Sequence, residues 1–331
     1  MSIIVTGGAG YIGSHAVLAL KRQNKDVIII DSLQTGHQQA VDDDTTFYQG
    51  DLRDSAFLDT VFSSHDVEAV IHFAADSLVG ESVKDPLKYY DNNVGGAISL
   101  LQAMNRHEVK KIVFSSTAAI YGEPQSQYID ENDQAVPTNP YGETKLAIEK
   151  ILKWAENAYG IRWIALRYFN VAGADIEGKK GEDHRPETHL IPIVLQVALN
   201  QRDEITVFGS DYKTPDGTCI RDYIHVTDLV DAHLLSLEKL SDEAKSDVYN
   251  LGNGKGFSVM EVIETARKVT GQKIPARMAP RREGDPAYLV ASSAKATRQL
   301  KWSPNYTSLE TIIESAWNWY VNHPNGYTTH K

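Results

Sequence analysis

Residues 3–13 read Ile3-Ile4-Val5-Thr6-Gly7-Gly8-Ala9-Gly10-Tyr11-Ile12-Gly13. A short β-branched run here passes into a glycine-rich turn, and a helical period follows, so the stretch predicts a strand, a tight turn and a helix. Gly7 permits the tight turn, Gly10 lets an anion approach the backbone, and Gly13 lets the helix pack closely. The spacing G-x-x-G-x-x-G is a variant of the dinucleotide-binding fingerprint, in which free amides at the helix start face a pyrophosphate.

The rest of the first half alternates strands and helices in the same way. Short apolar runs predict strands at 3–6, 27–30, 45–48, 69–73, 111–114 and 163–169. Longer helical periods predict helices at 12–23, 55–63, 86–105 and 141–158. This rhythm is typical of βαβ units, so we predict an α/β fold with a Rossmann-like, doubly wound parallel sheet.

The second half has a looser rhythm. Residues 178–187 are polar and charged, and mixed elements follow at 191–199, 205–208, 226–240, 259–269 and 309–320. We therefore expect a nucleotide-binding domain at 1–170 and a smaller α/β domain at 171–331. The run at 248–251 predicts a further strand that rejoins the main sheet.

Composition excludes several classes of function. The 331 residues include 33 Lys and Arg against 44 Asp and Glu, so the net charge of −11 argues against a nucleic-acid partner. The single cysteine, Cys219, cannot form an internal disulfide, and no stretch has the length of a membrane span or the pattern of a signal peptide. We therefore expect a cytoplasmic protein with no membrane partner.

Asp31 closes the second predicted strand, 18 residues after Gly13. A carboxylate at this place accepts hydrogen bonds from both ribose hydroxyls of adenosine and repels a 2′-phosphate. No arginine follows it in Ser32-Leu33-Gln34. The sequence therefore favours NAD over NADP as the cofactor.

A second group of residues suggests acid–base chemistry. Tyr141 and Lys145 are four residues apart at the start of a predicted helix, and therefore on one face. A cation close to Tyr141 favours the phenolate and lowers its pKa. Thr117 follows the fifth predicted strand at its carboxyl end, which is where open α/β sheets bind ligands. We predict that these three side chains meet at one site.

Several segments resemble the nucleotide-sugar epimerases of the extended short-chain dehydrogenase/reductase superfamily, over essentially the whole chain. They are Phe73-Ala74-Ala75, Val79-Gly80-Glu81-Ser82, Ser115-Ser116-Thr117, Ile120-Tyr121-Gly122, Arg167-Tyr168-Phe169-Asn170, Phe208-Gly209, 216–226 and 281–285. The resemblance implies that Tyr141 is the catalytic base, that Lys145 supports it and binds a cofactor ribose, and that Thr117 bonds the sugar O4. It implies NAD contacts from Gly7, Gly10, Tyr11, Ile12, Gly13, Asp31, Asp51, Leu52, Phe73, Ala74, Asn92, Tyr141, Lys145 and Tyr168. It implies UDP-sugar contacts from Thr117, Tyr141, Asn170, His189, Leu190, Phe208, Arg221, Arg282 and Asp285.

The activity that the resemblance implies is the reversible interconversion of UDP-galactose and UDP-glucose, as in galactose metabolism. Hydride would pass from C4 to tightly bound NAD, the 4-keto sugar would rotate, and hydride would return to its other face. The alternatives are a UDP-N-acetylglucosamine 4-epimerase, a UDP-glucuronate decarboxylase and a nucleotide-sugar 4,6-dehydratase. Dehydratases usually carry Asp-Glu directly after the Thr, whereas Ala118-Ala119 stand here. A dinucleotide-sensing regulator would not need the three catalytic side chains.

This chain departs from the family pattern at Ser77, where many relatives have Lys, and at His189, where Asn is frequent. Ungapped matching places Leu289, with Tyr288 beside it, at the position that limits room around the sugar 2-substituent, so acceptance of N-acetylated sugars stays open. The 11 histidines include no H-E-x-x-H motif and no Cys/His cluster, so no metal site is predicted. Similar enzymes pair the helices equivalent to 86–105 and 141–158 across a two-fold axis, which implies a homodimer.

Overall fold

A computed structural model describes residues 1–123, 126–241, 244–282 and 285–327. Its strands are β1 Ser2–Thr6, β2 Asp26–Asp31, β3 Thr46–Gln49, β4 Val67–His72, β5 Lys111–Ser115, β6 Tyr128–Ile129, β7 Arg162–Tyr168, β8 Asn170–Ala172, β9 Ile205–Phe208, β10 Ile220–Arg221, β11 Tyr223–His225, β12 Asp247–Leu251, β13 Phe257–Ser258, β14 Ala276–Ala279 and β15 Tyr288–Ala291. The α-helices are α1 Tyr11–Arg22, α2 Ser55–Ser63, α3 Val79–Lys84, α4 Pro86–Tyr89, α5 Gly96–Arg106, α6 Pro140–Tyr159, α7 Leu190–Ala198, α8 Val226–Ser241, α9 Val259–Thr270, α10 Ala294–Gln299 and α11 Leu309–Asn322. No helix in these described ranges is long and apolar enough to cross a membrane.

Seven parallel strands form the main sheet, in the order β12-β7-β5-β4-β1-β2-β3. The strand order reverses beside β1, which is the switch point where doubly wound sheets bind ligands. The predicted α/β fold class and all six strands of the first half are therefore confirmed. β12 comes from the second half of the chain and pairs with β7, as the run at 248–251 predicted.

Two apolar layers of helices cover the sheet, one on each face. The central strands are therefore buried on both faces, as is typical of parallel sheets. One layer includes Val17 and Leu20 of α1 and Leu229 and Leu237 of α8. The other includes residues of α2, α5 and α6, with Leu152 among them. A third cluster joins α7, α9 and α11 around the short strands β9 and β14, and it forms the core of the smaller C-terminal region.

One predicted helix differs from the structure. The sequence predicted a single helix over 86–105, but α4 and α5 are separated by a π-helical segment, Tyr90–Gly95. A π-helical turn inserts a residue and shifts the faces of the helix that follows. The segment contains Asn92, one of the predicted cofactor contacts, and Asn93, whose amide bonds Asp76 and Thr144. Hydrophobic periodicity does not resolve such a local insertion.

Candidate active site

A cleft of about 940 Å³ lies at the switch point of the main sheet. It begins between the carboxyl ends of β1 and β4 and continues past the ends of β5 and β7. The predicted cofactor and catalytic residues that line it are Gly7, Gly10, Tyr11, Ile12, Gly13, Asp31, Asp51, Leu52, Phe73, Ala74, Asn92, Thr117, Tyr141, Lys145 and Tyr168. The structure thus brings together residues from eight separate parts of the chain.

The three glycines of the turn have different structural roles. Gly7 has φ +73°, and a Cβ there would lie 2.6 Å from the amide nitrogen of Ala74. A Cβ at Gly13 would lie 2.1 Å from the carbonyl oxygen of Gly7, so α1 packs on the turn itself. At Gly10 the closest contact would be an ordinary 3.4 Å. The protein's own packing therefore requires Gly7 and Gly13, whereas Gly10 leaves space that faces the cleft.

This difference gives a prediction for two alanine variants. We expect Gly13→Ala to lower the thermal midpoint of the protein, because a Cβ 2.1 Å from the Gly7 oxygen forces the backbone apart. We expect Gly10→Ala to keep the wild-type midpoint without cofactor but to lose bound NAD on gel filtration, because its Cβ enters only the cleft. Thermal melts and the NAD content of the eluted protein measure the two effects. An equal fall of the thermal midpoint in both variants would contradict the different roles of Gly13 in packing and Gly10 in cofactor binding.

Asp31 is buried at the end of β2, and its carboxylate is fixed from two sides. Oδ2 accepts from the Ala9 amide at 3.0 Å and Oδ1 from the Leu33 amide at 2.8 Å. Burial raises the pKa of Asp31, against the effect of these hydrogen bonds. The carboxylate is therefore held rigidly beside the glycine turn and keeps free lone pairs, which fits the ribose of a dinucleotide.

The catalytic candidates meet where β5 and α6 approach each other. Thr117 precedes a 3₁₀ turn, and its hydroxyl accepts from the Ala119 amide at 3.2 Å. Asn139 caps α6 by accepting from the Gly142 amide at 2.9 Å, which fixes the first turn that carries Tyr141. Lys145 is buried, and its Nζ lies 5.9 Å from the centroid of the Tyr141 ring.

The electrostatics of this group differ from the prediction. Burial raises the pKa of Tyr141, and a hydrogen bond with Thr117 only opposes that rise. Burial lowers the pKa of Lys145 to about 7, and its Nζ donates to the Ser115 carbonyl at 2.8 Å. The net shift of the Tyr141 pKa is therefore upward, opposite to the lowering predicted from Lys145, because desolvation is its largest cause.

A buried ionic network behind Thr117 was not foreseen from the sequence. The Arg167 guanidinium donates to Glu149 through Nε at 3.0 Å and Nη2 at 2.6 Å, and through Nη1 to the Tyr121 hydroxyl at 2.9 Å. The Ser116 hydroxyl also donates to Glu149, at 2.6 Å. Glu149 stands four residues after Lys145 on the same face of α6. A carboxylate on a buried helix face and an arginine inside the apolar run 163–169 were the available signals.

The residues predicted for the sugar nucleotide fall into two sets. Asn170, His189, Arg282 and Leu289 line the cleft, as does the exposed Ser77. Leu190, Phe208, Arg221 and Asp285 do not line it. Arg282 connects the two sets, because its guanidinium bonds Asp285 at 3.0 Å and lies 5.1 Å from the centroid of the Phe208 ring. Arg221 also pairs with Asp285. Glu283 and Gly284 of this motif lie outside the described residues.

His189 belongs to a cluster that the sequence analysis missed. Its Nδ1 lies 2.7 Å from Oε1 of the buried Glu182, and His184 and Glu187 complete the group. Burial acts to lower the pKa of His189, but the two carboxylates outweigh it and raise the pKa to about 10. The sequence analysis considered only H-E-x-x-H motifs and Cys/His clusters, so it missed this His/Glu group, whose signal is the spacing E-x-H-x-x-E-x-H over 182–189.

Comparisons with known proteins agree with this geometry. A family model described as the NAD dependent epimerase/dehydratase family matches residues 3–252. The chain therefore belongs to that family, and NAD is the cofactor that the glycine turn and Asp31 fit. A curated relative named UDP-glucose 4-epimerase, from Halalkalibacterium halodurans, is 62% identical over 99% of this chain and 98% of its own length.

Solved structures give the same result. A crystal structure of UDP-glucose 4-epimerase is 59% identical, with a TM-score of 0.98 over 99% of this chain and 100% of that chain. A crystal structure of the Brucella ovis UDP-glucose 4-epimerase in complex with NAD is 47% identical, with a TM-score of 0.94 over 96% of this chain and 97% of that chain. The predicted relationship to nucleotide-sugar epimerases is therefore confirmed.

Proposed function

We propose that the protein interconverts UDP-galactose and UDP-glucose by inverting the configuration at C4 of the hexose. The observation that carries this proposal is that Thr117, Tyr141 and Lys145 face the same cleft as the glycine turn and Asp31. A proton-accepting group and a dinucleotide site that share one cleft suit oxidation of a secondary alcohol. The strong similarity to UDP-glucose 4-epimerases supports the choice of substrate.

The glycine turn, Asp31, and the residues at the ends of β3 and β4 would hold NAD. Asp51 and Leu52 line the cleft beyond β3, where we propose that adenine binds, and Tyr168 lies near Ser115, with 2.6 Å between their hydroxyl oxygens. Bound NAD supplies a reversible hydride acceptor for C4. The conformation of Gly7 and the rigid carboxylate of Asp31 organise the site before the cofactor binds, which favours tight retention.

Tyr141 would accept the proton of the C4 hydroxyl and later return it. Thr117 would bond O4, because its hydroxyl lies in the same cleft as Tyr141 and close enough to lower the Tyr141 pKa. Burial makes the Tyr141 phenolate costly, so a positive charge in the site must offset that cost. Lys145 is the available buried cation, and its Nζ would also reach a cofactor ribose.

The UDP end of the substrate would bind at the Arg282 cluster, beyond Asn170, His189 and Leu190. Two guanidinium groups, from Arg221 and Arg282, suit a diphosphate, and the Asp285 carboxylate suits ribose hydroxyls. Phe208 offers an aromatic face for uracil. Anchoring at this end leaves the 4-keto hexose free to rotate, so that its other face meets the same catalytic residues.

Two features bear on the alternative reactions. Ala118 and Ala119 follow Thr117, so this strand end offers no acid–base pair for the elimination that a dehydratase performs. Leu289 lines the cleft, with the half-buried Tyr288 beside it. The size of these side chains would determine whether an N-acetyl group on the sugar fits. We therefore propose UDP-hexoses as the main substrates and UDP-N-acetylhexoses as the alternative to be compared with them.

The experiment is to incubate the purified protein with UDP-galactose, adding no cofactor. Proton NMR follows UDP-glucose, and absorbance near 340 nm follows any accumulation of reduced cofactor. We expect conversion to equilibrium without a rise at 340 nm. No conversion even with NAD supplied would contradict the proposal, and UDP-N-acetylgalactosamine and UDP-glucuronate would then test the alternative substrates.

We also propose that the protein is a homodimer. Large apolar side chains are exposed along α3 to α6, with Leu87 78% and Trp154 71% exposed. Val83, Tyr90 and Ile98 add to this surface. Exposed apolar surface of this kind marks association sites. Helices α4 to α6 correspond to the predicted helices at 86–105 and 141–158, which were expected to pair across a two-fold axis.

The expected result for Leu87→Asp is a fall in solution mass from two chains to one, at 36.7 kDa per chain. A charge buried against its symmetry mate disfavours the association. Light scattering after gel filtration measures the mass. Ile176→Asp is the matched control, because Ile176 is also exposed but lies outside α3 to α6. A dimeric Leu87→Asp, or a monomeric wild type, would contradict the proposed interface.

We further propose that residues 1–170 hold mainly NAD and 171–331 mainly the UDP-sugar, with β12 and α8 returning to the main sheet. The buried, unpaired Cys219 supports a reducing compartment, for which we propose the cytoplasm. Interconversion of these two sugars places the protein in galactose metabolism.

A further inference from the structure

Residues 182–189 bring two carboxylates and two imidazoles into one cluster, which we call the His–Glu cluster. Its members are Glu182, His184, Glu187 and His189, and one donor atom from each lies within 4.8 Å of all the others. Both carboxylates are buried, with their side chains only 4% and 3% exposed. Neither the proposed base chemistry nor the cofactor site uses this group as a whole.

The distances in the cluster are those of a metal site. Oε1 of Glu182 lies 2.7 Å from Nδ1 of His189 and 3.1 Å from Nδ1 of His184. Oxygens of Glu187 lie 3.5 and 3.8 Å from the same two nitrogens. Ligands bound tetrahedrally at about 2.0 to 2.1 Å are separated by roughly 3.3 Å, so little movement would place all four on one ion.

The charge of the cluster also suits a divalent cation. Two buried carboxylates are costly unless cations neutralise them. One divalent ion supplies the same charge as two protonated imidazoles. Nδ1 of His184 is buried without a well-formed hydrogen bond, although it lies near both carboxylates. With the ring proton on Nε2, this nitrogen would offer its lone pair to a metal bound among the carboxylate oxygens.

The surrounding chain holds the segment in place. Gly181 packs against the indole of Trp319, where a Cβ would lie 2.2 Å from the ring. The Asp183 carboxylate accepts from the Tyr327 amide at 2.9 Å. Residues 181 and 183 thus attach the segment to the C-terminal region, while 182 and 184 point the other way into the cluster. A site on an anchored segment loses little entropy when an ion binds.

We propose that the His–Glu cluster binds one divalent transition-metal ion, for which Zn²⁺ is the best match. Two nitrogen and two oxygen donors favour Zn²⁺ over Mg²⁺ and Ca²⁺, which prefer oxygen alone. Glu182, His184 and His189 also line the cleft, and the His184 ring lies 6.3 Å from that of Tyr11. A bound ion would therefore fix the cleft wall between the glycine turn and α7.

The test uses the full chain with its bound NAD, treated with chelator and then titrated with Co²⁺. We expect the visible absorption bands of tetrahedral Co²⁺, saturating at one ion per chain, and their loss when Zn²⁺ is added. We expect H184Q and H189Q each to weaken Co²⁺ binding by more than about tenfold, since loss of an outer-shell partner alone costs that much. H107Q is the matched control, because His107 also contacts a carboxylate, that of Asp59 at 2.9 Å, but lies outside the cluster.

Either of two results would overturn the proposal: no Co²⁺ bands and no heat of Zn²⁺ binding in the wild type, or full binding retained in H184Q and H189Q. The first result would show that protons alone balance the two carboxylates. Circular dichroism checks the fold of each variant. The His189 side chain is 48% exposed, so H189Q keeps the test decisive even if H184Q does not fold.

Discussion

Tyr141→Phe is expected to lower kcat for UDP-galactose by roughly 10²- to 10⁴-fold, the range that a positioned acid–base group contributes. The phenol oxygen is the only atom removed, and Tyr141 lies in the first turn of α6, which Asn139 caps independently. We therefore expect an unchanged thermal midpoint and unchanged NAD content. Initial rates, measured at saturating substrate with a coupled assay for UDP-glucose, test this expectation.

Tyr159→Phe is the control, because it removes the same atom from the other end of α6, where the side chain is 53% exposed. We expect it to retain wild-type kcat. A Tyr141→Phe protein with kcat within threefold of wild type would remove Tyr141 from the proposed chemistry.

Glu149→Gln is expected to lower the free energy of unfolding by about 3 to 5 kcal/mol, because it leaves the Arg167 guanidinium buried without its carboxylate. Glu149 and Arg167 are almost fully buried, and their pair is bidentate. Chemical denaturation measures the change. Because Ser116 also donates to Glu149 and precedes Thr117, we expect kcat to fall as well.

Glu264→Gln is the control for this stability effect. Glu264 pairs with Arg267 on the exposed surface of α9, where such pairs contribute at most about 1 kcal/mol. We expect almost no change there. Equal effects of Glu149→Gln and Glu264→Gln would show that the buried network does not support the strand end that carries Thr117.

The sequence predicted those parts of the protein that depend on local patterns. β-branched runs and the glycine turn predicted the parallel sheet, and the order of elements predicted that Asp31, Thr117, Tyr141 and Lys145 would share one edge. The 248–251 run even predicted the return of a late strand to the main sheet. These predictions succeed because strand polarity places the carboxyl ends together and the first turns of α6, which carry Tyr141 and Lys145, line the cleft at the same edge.

Other features depend on three-dimensional packing and were therefore not predictable in this way. The direction of the Tyr141 pKa shift depends on desolvation, which no motif reports. The Glu149–Arg167 network joins α6 and β7 through side chains far apart in sequence. The π-helical segment around Asn92 arises from backbone geometry that hydrophobic periodicity does not encode. The His–Glu cluster had a spacing signal over 182–189, but the approach of its four side chains depends on how that segment folds.

In the proposed reaction, the cleft inverts C4 by removing a hydrogen from that carbon and returning it to the same sugar. The most direct measurement is to convert unlabelled UDP-galactose in D₂O and to read the isotope at C4 of the UDP-glucose by proton NMR. We expect protium at C4 in every product molecule, because the carbon-bound hydrogen never exchanges with solvent. Deuterium at C4 would contradict it, because the inversion would then proceed by proton exchange with water.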